Sequence, residues 1–302
     1  MNKNNIDIDK LPVGSASNAV VDGCIVLEGG AFRGSYTEGV LDALMENDIN
    51  MRCVVGVSAG AMNGMSYMSR QIGRAIRITM KYRHNSRYMG AKALRADKGL
   101  IGFSFIFGDL FNLEWFDKDS FCSKDRQFVA VATNLVTGKA EYFDRDESDI
   151  IKAIEASAAL PLVSKPVHIN GTPYFDGGCA CKVPYNWAIE NGHKKIIVVR
   201  TRHASYRKDL SRKGKTLKLV SARYRKYPEF INSLSQTNRE YNRQCDELEK
   251  LHTDGEVYVI SPSENVNVDR FEGDLNILYN LYRLGYNDTI NQLEKIKEYL
   301  KK

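Results

Sequence analysis

The chain has 302 residues, 43% of them hydrophobic and 26% charged, and a formal net charge of +6. This composition can supply a sizeable core for one large domain, or for a domain with an appendage. No window approaches the ~20 uncharged apolar residues of a membrane-spanning helix, and residues 1–13 contain no apolar signal sequence, so we expect a cytoplasmic protein. The six cysteines lack metal-ligand spacing and are expected to be reduced thiols that bind no metal.

The first predicted unit is an apolar strand over residues 24–28, a glycine-rich turn and a helix over residues 35–46. The turn is Gly29-Gly30-Ala31-Phe32-Arg33-Gly34, and such a turn exposes consecutive backbone N–H groups. A dinucleotide loop requires glycine where Ala31 stands, and the lysine of a P-loop is absent. An oxyanion hole needs only two or three N–H donors and tolerates alanine, so the pattern favours an oxyanion hole. Arg33 is interpreted either as a surface charge or as a residue that holds the loop or an anionic group.

The second unit contains the pattern G-x-S-x-G at Gly56-Val57-Ser58-Ala59-Gly60. Residues 51–55 are typical of a short buried strand, and residues 59–69 of a helix. Ser58 would therefore occupy a tight strand-to-helix turn, with its hydroxyl exposed and the positive end of the helix beside it. Gly56 and Gly60 are expected to allow close approach of the neighbouring backbone. These features predict a nucleophilic serine.

Further elements follow in chain order. An aromatic, glycine-punctuated run at residues 99–108 is expected to line an acyl channel, to form a lid or to pack in the core. The alternation of strands and helices predicts an α/β fold with a mostly parallel sheet covered on both faces. The remaining predicted elements up to residue 201 are helices over 74–83, 150–157 and 184–190, hairpins over 127–143 and 168–175, and a strand over 195–201.

The third pattern is Asp176-Gly177-Gly178, at the end of a predicted strand. Alone it indicates no more than a turn, because Asp-Gly is common in hairpins. The glycine-rich loop, G-x-S-x-G and Asp-Gly-Gly in this order, with Ala156-Ser157-Ala158-Ala159-Leu160-Pro161 before the aspartate, resemble the patatin-like phospholipase family of lipid acyl hydrolases. The sequence departs from that family where Ala31 replaces a third glycine and where Gly178 replaces the more frequent alanine.

The resemblance covers residues 24–201 and implies a three-layer α/β/α fold and a catalytic dyad. In that dyad Ser58 would attack an ester carbonyl and Asp176 would transfer its proton, while N–H groups of Gly29, Gly30 and Ala31 would hold the oxyanion. An aspartate with a solution pKa of about 3.9 is a weak base, so its pocket is expected to be apolar and mostly dry. The implied chemistry needs no cofactor and no metal. The substrate would be a phospholipid or lysophospholipid ester.

Two other functions remain open at this point. An α/β-hydrolase carboxylesterase would use the same G-x-S-x-G with a histidine after the aspartate, and His193 and His203 follow Asp176. His193 is expected in a solvent-exposed loop, and His203 at the start of a polar stretch. The other alternative is a lipid- or protein-binding module without catalytic activity, which the presence of both Ser58 and Asp176 disfavours.

Residues 1–201 are predicted to form the catalytic domain and residues 202–302 a mainly helical C-terminal region packed on it. Residues 202–226 carry ten Lys or Arg and one acidic residue. This basic segment is interpreted either as a solvated helix face or as a surface that adsorbs to anionic lipid at the inner face of the membrane. No nucleic-acid-binding fold is indicated, so no nucleic acid partner is expected. The elements predicted beyond it are a helix over 228–251, a strand over 256–261 and one or two helices over 273–302.

Overall fold

An eight-stranded mixed sheet forms the centre of the protein in a computed structural model that describes residues 6–211 and 215–302. A two-stranded sheet lies apart from it. The strands are β1 (Gly14–Ser15), β2 (Val21–Leu27), β3 (Met51–Val57), β4 (Gln71–Ile72), β5 (Gln127–Asn134), β6 (Ala140–Asp144), β7 (Val167–Ile169), β8 (Thr172–Asp176), β9 (Ile196–Val199) and β10 (Tyr258–Ile260).

The helices are α1 (Ser35–Glu46), α2 (Ala59–Met68), α3 (Arg74–Tyr82), α4 (Ala91–Asp97), α5 (Leu110–Leu113), α6 (Lys118–Cys122), α7 (Ile150–Ala158), α8 (Tyr185–Glu190), α9 (Lys215–Arg223), α10 (Pro228–Thr253), α11 (Leu275–Asn291) and α12 (Leu293–Lys301). Short 3₁₀ turns occupy Ile8–Lys10, Ala31–Gly34 and Gly177–Cys179, and a π-helical turn occupies Phe105–Asp109. Within the described part of the chain, none of these helices combines the length and the apolar character needed to cross a membrane.

The strand order in the central sheet is β10-β9-β2-β3-β5-β8-β7, and β6 also pairs with β5. The strands from β10 to β5 run parallel, whereas β6, β7 and β8 add antiparallel pairings. Alternate residues of β2 enter two different cores. Ile25 and Leu27 pack with α1, α2 and α7, and Cys24 and Val26 pack with α8 and α10. The predicted α/β sheet with helices on both faces is confirmed.

The C-terminal region takes part in both layers. Strand β10 extends the sheet beside β9, and α11 packs against α1. These two helices approach closely at Gly39 and Gly285. A β-carbon on Gly39 would lie 2.0 Å from the Tyr282 carbonyl oxygen, and one on Gly285 would lie 2.1 Å from that of Tyr36. The mainly helical C-terminal extension is confirmed, while the division of the chain at residue 201 stays a prediction.

The basic segment lies partly outside the described residues, since Arg212 and Lys213 belong to the undescribed stretch. Its described part includes α9 and the turn that leads to α10. Lys218, Arg223 and Arg225 are exposed there, and so is Leu219, with 61% of its surface accessible. The segment therefore presents basic and apolar side chains together.

Candidate active site

Ser58 lies on the sharp turn between β3 and α2. Its backbone adopts φ 56° and ψ −122°, a left-handed conformation that residues other than glycine rarely adopt. The two flanking glycines explain how the turn fits. A β-carbon on Gly60 would lie 2.5 Å from the Leu27 carbonyl oxygen, and one on Gly56 would lie 2.7 Å from the Ala61 nitrogen. The turn can therefore be this tight only because both positions lack a side chain.

The pairing of β5 brings Asp176 to the end of β3. Along one edge β5 pairs with β6, through residues 129–133. Residues 127–131 also pair with β3 and residues 132–134 with β8, so these two strands share the opposite edge, end to end. Val57 faces Val131 and Asp176 faces Ala132. The residue that follows β3 and the residue that ends β8 consequently meet.

Ser58 and Asp176 form a direct hydrogen bond. Ser58 Oγ donates to Asp176 Oδ2 over 2.6 Å, and the Gly178 N–H donates to Asp176 Oδ1 over 2.7 Å. Both side chains are buried. Burial raises the pKa of Asp176, while the hydrogen bonds from Ser58 and Gly178 and the charge of Lys182 oppose that rise. The carboxylate is thereby a stronger base than in water and is already aimed at the serine hydroxyl.

Asp176 is fixed by the strands around it. Thr133 Oγ1 donates to the Asp176 carbonyl oxygen over 2.9 Å, and the Asp176 N–H donates to the Ala159 carbonyl over 2.8 Å. A β-carbon on Gly177 would lie 2.2 Å from the Val131 carbonyl oxygen, so only glycine fits after the aspartate. Gly178 has more room, since its β-carbon would lie 3.0 Å from Asp176 Oδ1.

Ser157 supports the turn, a role that the sequence patterns above do not predict. Its hydroxyl donates to the Val131 carbonyl over 2.6 Å and accepts the Ser58 N–H over 2.8 Å. It thus ties the strained Ser58 backbone to β5 through a fully buried contact. The signal was available, because Ser157 belongs to the Ala-Ser-x-Ala-x-Pro segment that carried part of the family resemblance.

The glycine-rich loop lies against the serine. A β-carbon on Gly29 would lie 3.2 Å from the Ser58 β-carbon, and one on Gly34 would lie 3.0 Å from that of Ala59. Among the described residues we find no acceptor for the N–H groups of Gly30 and Ala31, whereas the Gly29 N–H makes a long contact of 3.4 Å with the Lys182 carbonyl. Ala31 adopts φ 49°, a conformation natural to the glycine it replaces. The free N–H groups can bind an oxyanion beside Ser58.

A family model described as patatin-like phospholipase matches residues 25–189, more than half of the chain. The chain belongs to the patatin-like phospholipase family. The resemblance inferred from the three glycine-containing motifs is therefore confirmed. A second model, described as a domain of unknown function (DUF6363), matches residues 227–301.

Curated relatives match parts of this patatin-like chain. The uncharacterized protein YjjU of Escherichia coli is 29% identical over 59% of the chain and 51% of its own length. The probable lipid hydrolase 463L of Invertebrate iridescent virus 6 is 24% identical over 62% of the chain and 72% of its length. The uncharacterized NTE family protein Mb1092c of Mycobacterium bovis is 28% identical over 57% of the chain, and the match spans about half of that relative. Among solved structures, VipD of Legionella pneumophila aligns with 94% of this chain and 70% of its own, at 13% identity and a TM-score of 0.47.

An apolar cleft opens beside Ser58 in this patatin-like protein. Its open volume, including the solvent-filled mouth, is about 970 Å³. The run at residues 99–108 contributes Ile101, Ile106 and Phe107 to its wall, while Phe103 and Phe105 are buried in the core. Glu38 also lines the cleft, and burial raises its pKa to about 8, so the carboxyl is largely neutral at pH 7. The cleft can hold an acyl chain with its carbonyl at the serine.

Basic side chains gather on the polar side of the site. Arg33 lies near Arg202 and Arg270, and Lys182 lies near Arg270 and Lys208. Burial and the neighbouring charge of Lys182 lower the pKa of Lys208 to about 7, and burial, with the charge of Arg202, lowers that of Arg33 to about 10. Arg33 Nη1 also contacts the Val268 carbonyl at 3.5 Å. We call Arg33, Lys182, Lys208 and Arg270 the basic cluster.

The described contacts of the histidines involve neither Ser58 nor Asp176. His84 contacts the Gly273 carbonyl, His203 contacts Ser205, and His252 contacts the Val257 carbonyl. His168 is exposed on β7. His193 is half-buried rather than fully exposed, and its ring contacts Cys53. The direct Ser58–Asp176 bond leaves no histidine between the two side chains.

We expect single replacement of His84, His168, His193, His203 or His252 with alanine to leave kcat/KM within about tenfold of wild type, since none is required to move a proton. Hydrolysis of a small soluble ester, measured beside circular dichroism of each variant, checks this. If one of these variants folded normally but lost its activity, a triad that includes that histidine would replace the dyad as the proposed mechanism.

A second cluster of functional side chains lies away from the serine. The sulfur atoms of Cys24 and Cys53 and a ring nitrogen of His193 lie within 4.8 Å of one another, and they are the one such group of potential metal ligands within residues 6–211 and 215–302. Cys24 and Cys53 are adjacent in the register of β2 and β3. In the sequence these cysteines are scattered thiols, because the strand register that brings them together is not visible in their spacing.

Proposed function

We propose that this protein is a serine acyl hydrolase that cleaves phospholipid or lysophospholipid esters through a Ser58–Asp176 dyad. The observation that carries the proposal is the 2.6 Å hydrogen bond from Ser58 Oγ to a buried aspartate, on a strained turn beside free N–H groups. Membership in the patatin-like phospholipase family supports the same chemistry.

In the first half of the reaction Ser58 Oγ attacks the ester carbonyl carbon, and its proton passes to Asp176 Oδ2. The carbonyl oxygen becomes an oxyanion, held by the N–H groups of Gly30 and Ala31 with Gly29 beside them. When the tetrahedral intermediate collapses, the carbon–oxygen bond to the alcohol breaks. Asp176 returns the proton to the departing alcohol, and the acyl group remains on Ser58.

In the second half a water molecule attacks the acyl carbon and Asp176 accepts one of its protons. Collapse of the second tetrahedral intermediate releases the fatty acid, and the proton returns to Ser58 Oγ. One water is consumed for each ester bond, and no redox partner is involved. The buried position of Asp176 favours the two steps in which it accepts a proton, because burial has raised its pKa.

The surroundings of the dyad support a lipid with an anionic headgroup. The apolar cleft offers room for an acyl chain, whereas Lys182 and Arg270 of the basic cluster lie near Asp176. The guanidinium groups of Arg33 and Arg270 match the charge of a lipid phosphate. The apolar and basic surroundings of the dyad thus suit the two ends of a phospholipid.

A fluorophosphonate probe and a panel of lipids test the proposal together. We expect the probe to label the wild-type protein and not Ser58→Ala, and hydrolysis to be highest for anionic phospholipids or lysophospholipids. An unlabelled wild-type protein that binds lipid vesicles would instead support the binding module. If the probe labelled Ser58 but charged and uncharged esters were hydrolysed equally well, the preference for an anionic headgroup would be refuted. The proposal of a serine hydrolase would still stand.

The pH dependence is expected to follow Asp176. Its raised pKa means that kcat/KM should rise with pH through a midpoint above the ordinary value of about 3.9, because only the ionised carboxylate accepts a proton. Lys182→Gln removes a charge that lowers this pKa, so the midpoint should move to higher pH. Rate profiles on a soluble ester measure it, with Lys208→Gln as the control from the same cluster. A midpoint that stays or falls in Lys182→Gln would contradict this role of Asp176.

We also expect the basic segment to bring the enzyme to anionic membranes. Lys218→Gln, Arg223→Gln and Arg225→Gln together should weaken binding to anionic vesicles and lower activity on them, since each basic side chain near the surface is worth about 1 kcal/mol. Hydrolysis of a soluble ester should be unchanged. The matched control replaces three exposed lysines elsewhere, Lys124, Lys295 and Lys301, with glutamine. If both triple variants weakened vesicle binding equally, or if vesicle binding did not change with salt concentration, the segment would be an ordinary solvated face.

A further inference from the structure

The cluster of Cys24, Cys53 and His193 lies at the end of the sheet remote from the serine. Cys53 precedes Ser58 by five residues along β3, which corresponds to roughly 16 Å at the usual rise of a strand. Both cysteine side chains are buried on the sheet face that packs against α8 and α10, and His193 is half-buried beside them. The cluster is therefore independent of the cleft and of the proposed hydrolysis.

Each member of the cluster is held by regular backbone structure. Cys24 and Cys53 are direct neighbours in the parallel pairing of β2 and β3, so their side chains leave the same face side by side. His193 is fixed at the end of α8. Gly192 adopts φ 80°, its N–H donates to the Ile189 carbonyl, and the His193 N–H donates to the Ala188 carbonyl. This is a Schellman motif, which sets the direction in which His193 leaves the helix.

Two thiols and an imidazole are the ligands that Zn²⁺ prefers in proteins. Tetrahedral geometry with Zn–S bonds of ~2.3 Å and Zn–N bonds of ~2.0 Å separates neighbouring ligand atoms by about 3.7 Å. The donors, within 4.8 Å of one another, need to close by only about 1 Å. Two thiolates and a neutral imidazole would also balance the charge of Zn²⁺, so that the surrounding apolar core would enclose a neutral group.

We propose that Cys24, Cys53 and His193 bind one Zn²⁺ ion, with a water molecule in the fourth position on the partly exposed side of His193. The site would link β2, β3 and the end of α8, three segments distant in sequence. Binding to the native state alone would stabilise the fold. The site takes no part in ester hydrolysis.

Cobalt provides the test, because Co²⁺ occupies thiolate sites of zinc and absorbs visible light there. The reduced, chelator-treated full chain is titrated with Co²⁺ under argon. We expect a thiolate-to-cobalt charge-transfer band, the d–d bands of a four-coordinate ion, a stoichiometry of one, and full displacement by Zn²⁺. Cys24→Ser, Cys53→Ser and His193→Ala should each weaken Zn²⁺ binding by at least the ~10–100-fold that follows loss of even an outer-shell partner.

Two controls keep the result interpretable. Cys181→Ser removes a thiol that lies outside the cluster and should bind Co²⁺ like wild type. His193→Ala removes the least buried ligand, so a folded variant is available even if a cysteine variant fails to fold. One equivalent of Zn²⁺ should raise the melting temperature of wild type but not of His193→Ala, and should leave hydrolysis of a soluble ester unchanged.

Several outcomes would overturn the proposal. They are a folded wild-type chain without cobalt bands, bands that persist in both cysteine variants, and a Cys24–Cys53 disulfide that forms as readily with Zn²⁺ present as without it. None of these bears on Ser58, so loss of the zinc site and loss of the proposed hydrolase can be told apart.

Discussion

Ser58→Ala and Asp176→Asn are each expected to reduce ester hydrolysis by at least ~10⁴-fold, because nucleophile and base act as one unit. The alanine variant lacks the attacking oxygen. The asparagine variant keeps the shape of the side chain but cannot accept the serine proton. The 2.6 Å bond between the two side chains predicts that the double variant loses little more than either single one.

The measurement is kcat/KM on a soluble ester and on phospholipid vesicles, with circular dichroism to verify folding. Ser66→Ala is the matched control. Ser66 is a buried serine that lines the same cleft, yet its hydroxyl contacts Arg74 rather than Asp176. Near-wild-type turnover by either dyad variant would refute the proposed mechanism, as would an equally severe loss in Ser66→Ala.

Gly60→Ala should be strongly damaging even though it removes no reacting atom. The new β-carbon would lie 2.5 Å from the Leu27 carbonyl oxygen and 2.9 Å from the Leu27 carbonyl carbon, both of them backbone atoms. Leu27 ends β2 and leads into the glycine-rich loop, so relief of the clash pushes the serine turn away from the oxyanion donors. Misplacement of about 1 Å is enough to cost ~100-fold in rate, and we expect at least that loss.

Rate measurements and thermal melting of Gly60→Ala check this result. The control is Gly108→Ala, because no described atom outside the glycine's own turn comes within 4 Å of the new β-carbon there. Gly108→Ala should retain both activity and stability. If Gly60→Ala retained wild-type activity, the serine turn and the oxyanion loop would not be mechanically linked in the way that these distances imply.

The motifs of the proposed catalytic centre could be predicted because the backbone geometry that requires them is local. The turn at Ser58 has φ 56° and lies between two positions where a β-carbon cannot fit. This geometry requires the motif G-x-S-x-G, which is visible in the sequence. The hairpin between β7 and β8 is equally visible. Asn170 and Gly171 both adopt positive φ, as a two-residue turn requires. The strands and helices around these motifs follow from apolar periodicity, which also depends on near neighbours in the chain.

Some elements have no recognisable pattern in the sequence. The short strands β1 and β4 have two residues each, and their pairing depends on segments more than fifty residues apart. The segment between α3 and β5 contains α4, α5 and α6, and the sequence pattern predicts none of these three helices. These helices have four to seven residues, and ring contacts hold Phe111 of α5 and Phe121 of α6 in place. Helices this short have little intrinsic stability, so tertiary packing decides whether they form.

The sequence by itself determined the family, the α/β architecture and the two side chains proposed as nucleophile and base, because each follows from local backbone geometry or from a short motif. Only the tertiary structure decided which distant residues meet. The shared edge of β5 brings Asp176 to Ser58, the fold brings Ser157 beneath the serine turn, and the register of β2 and β3 joins Cys24 to Cys53 beside His193. Such contacts depend on strand order, register and helix termini together, and no spacing along the chain encodes them.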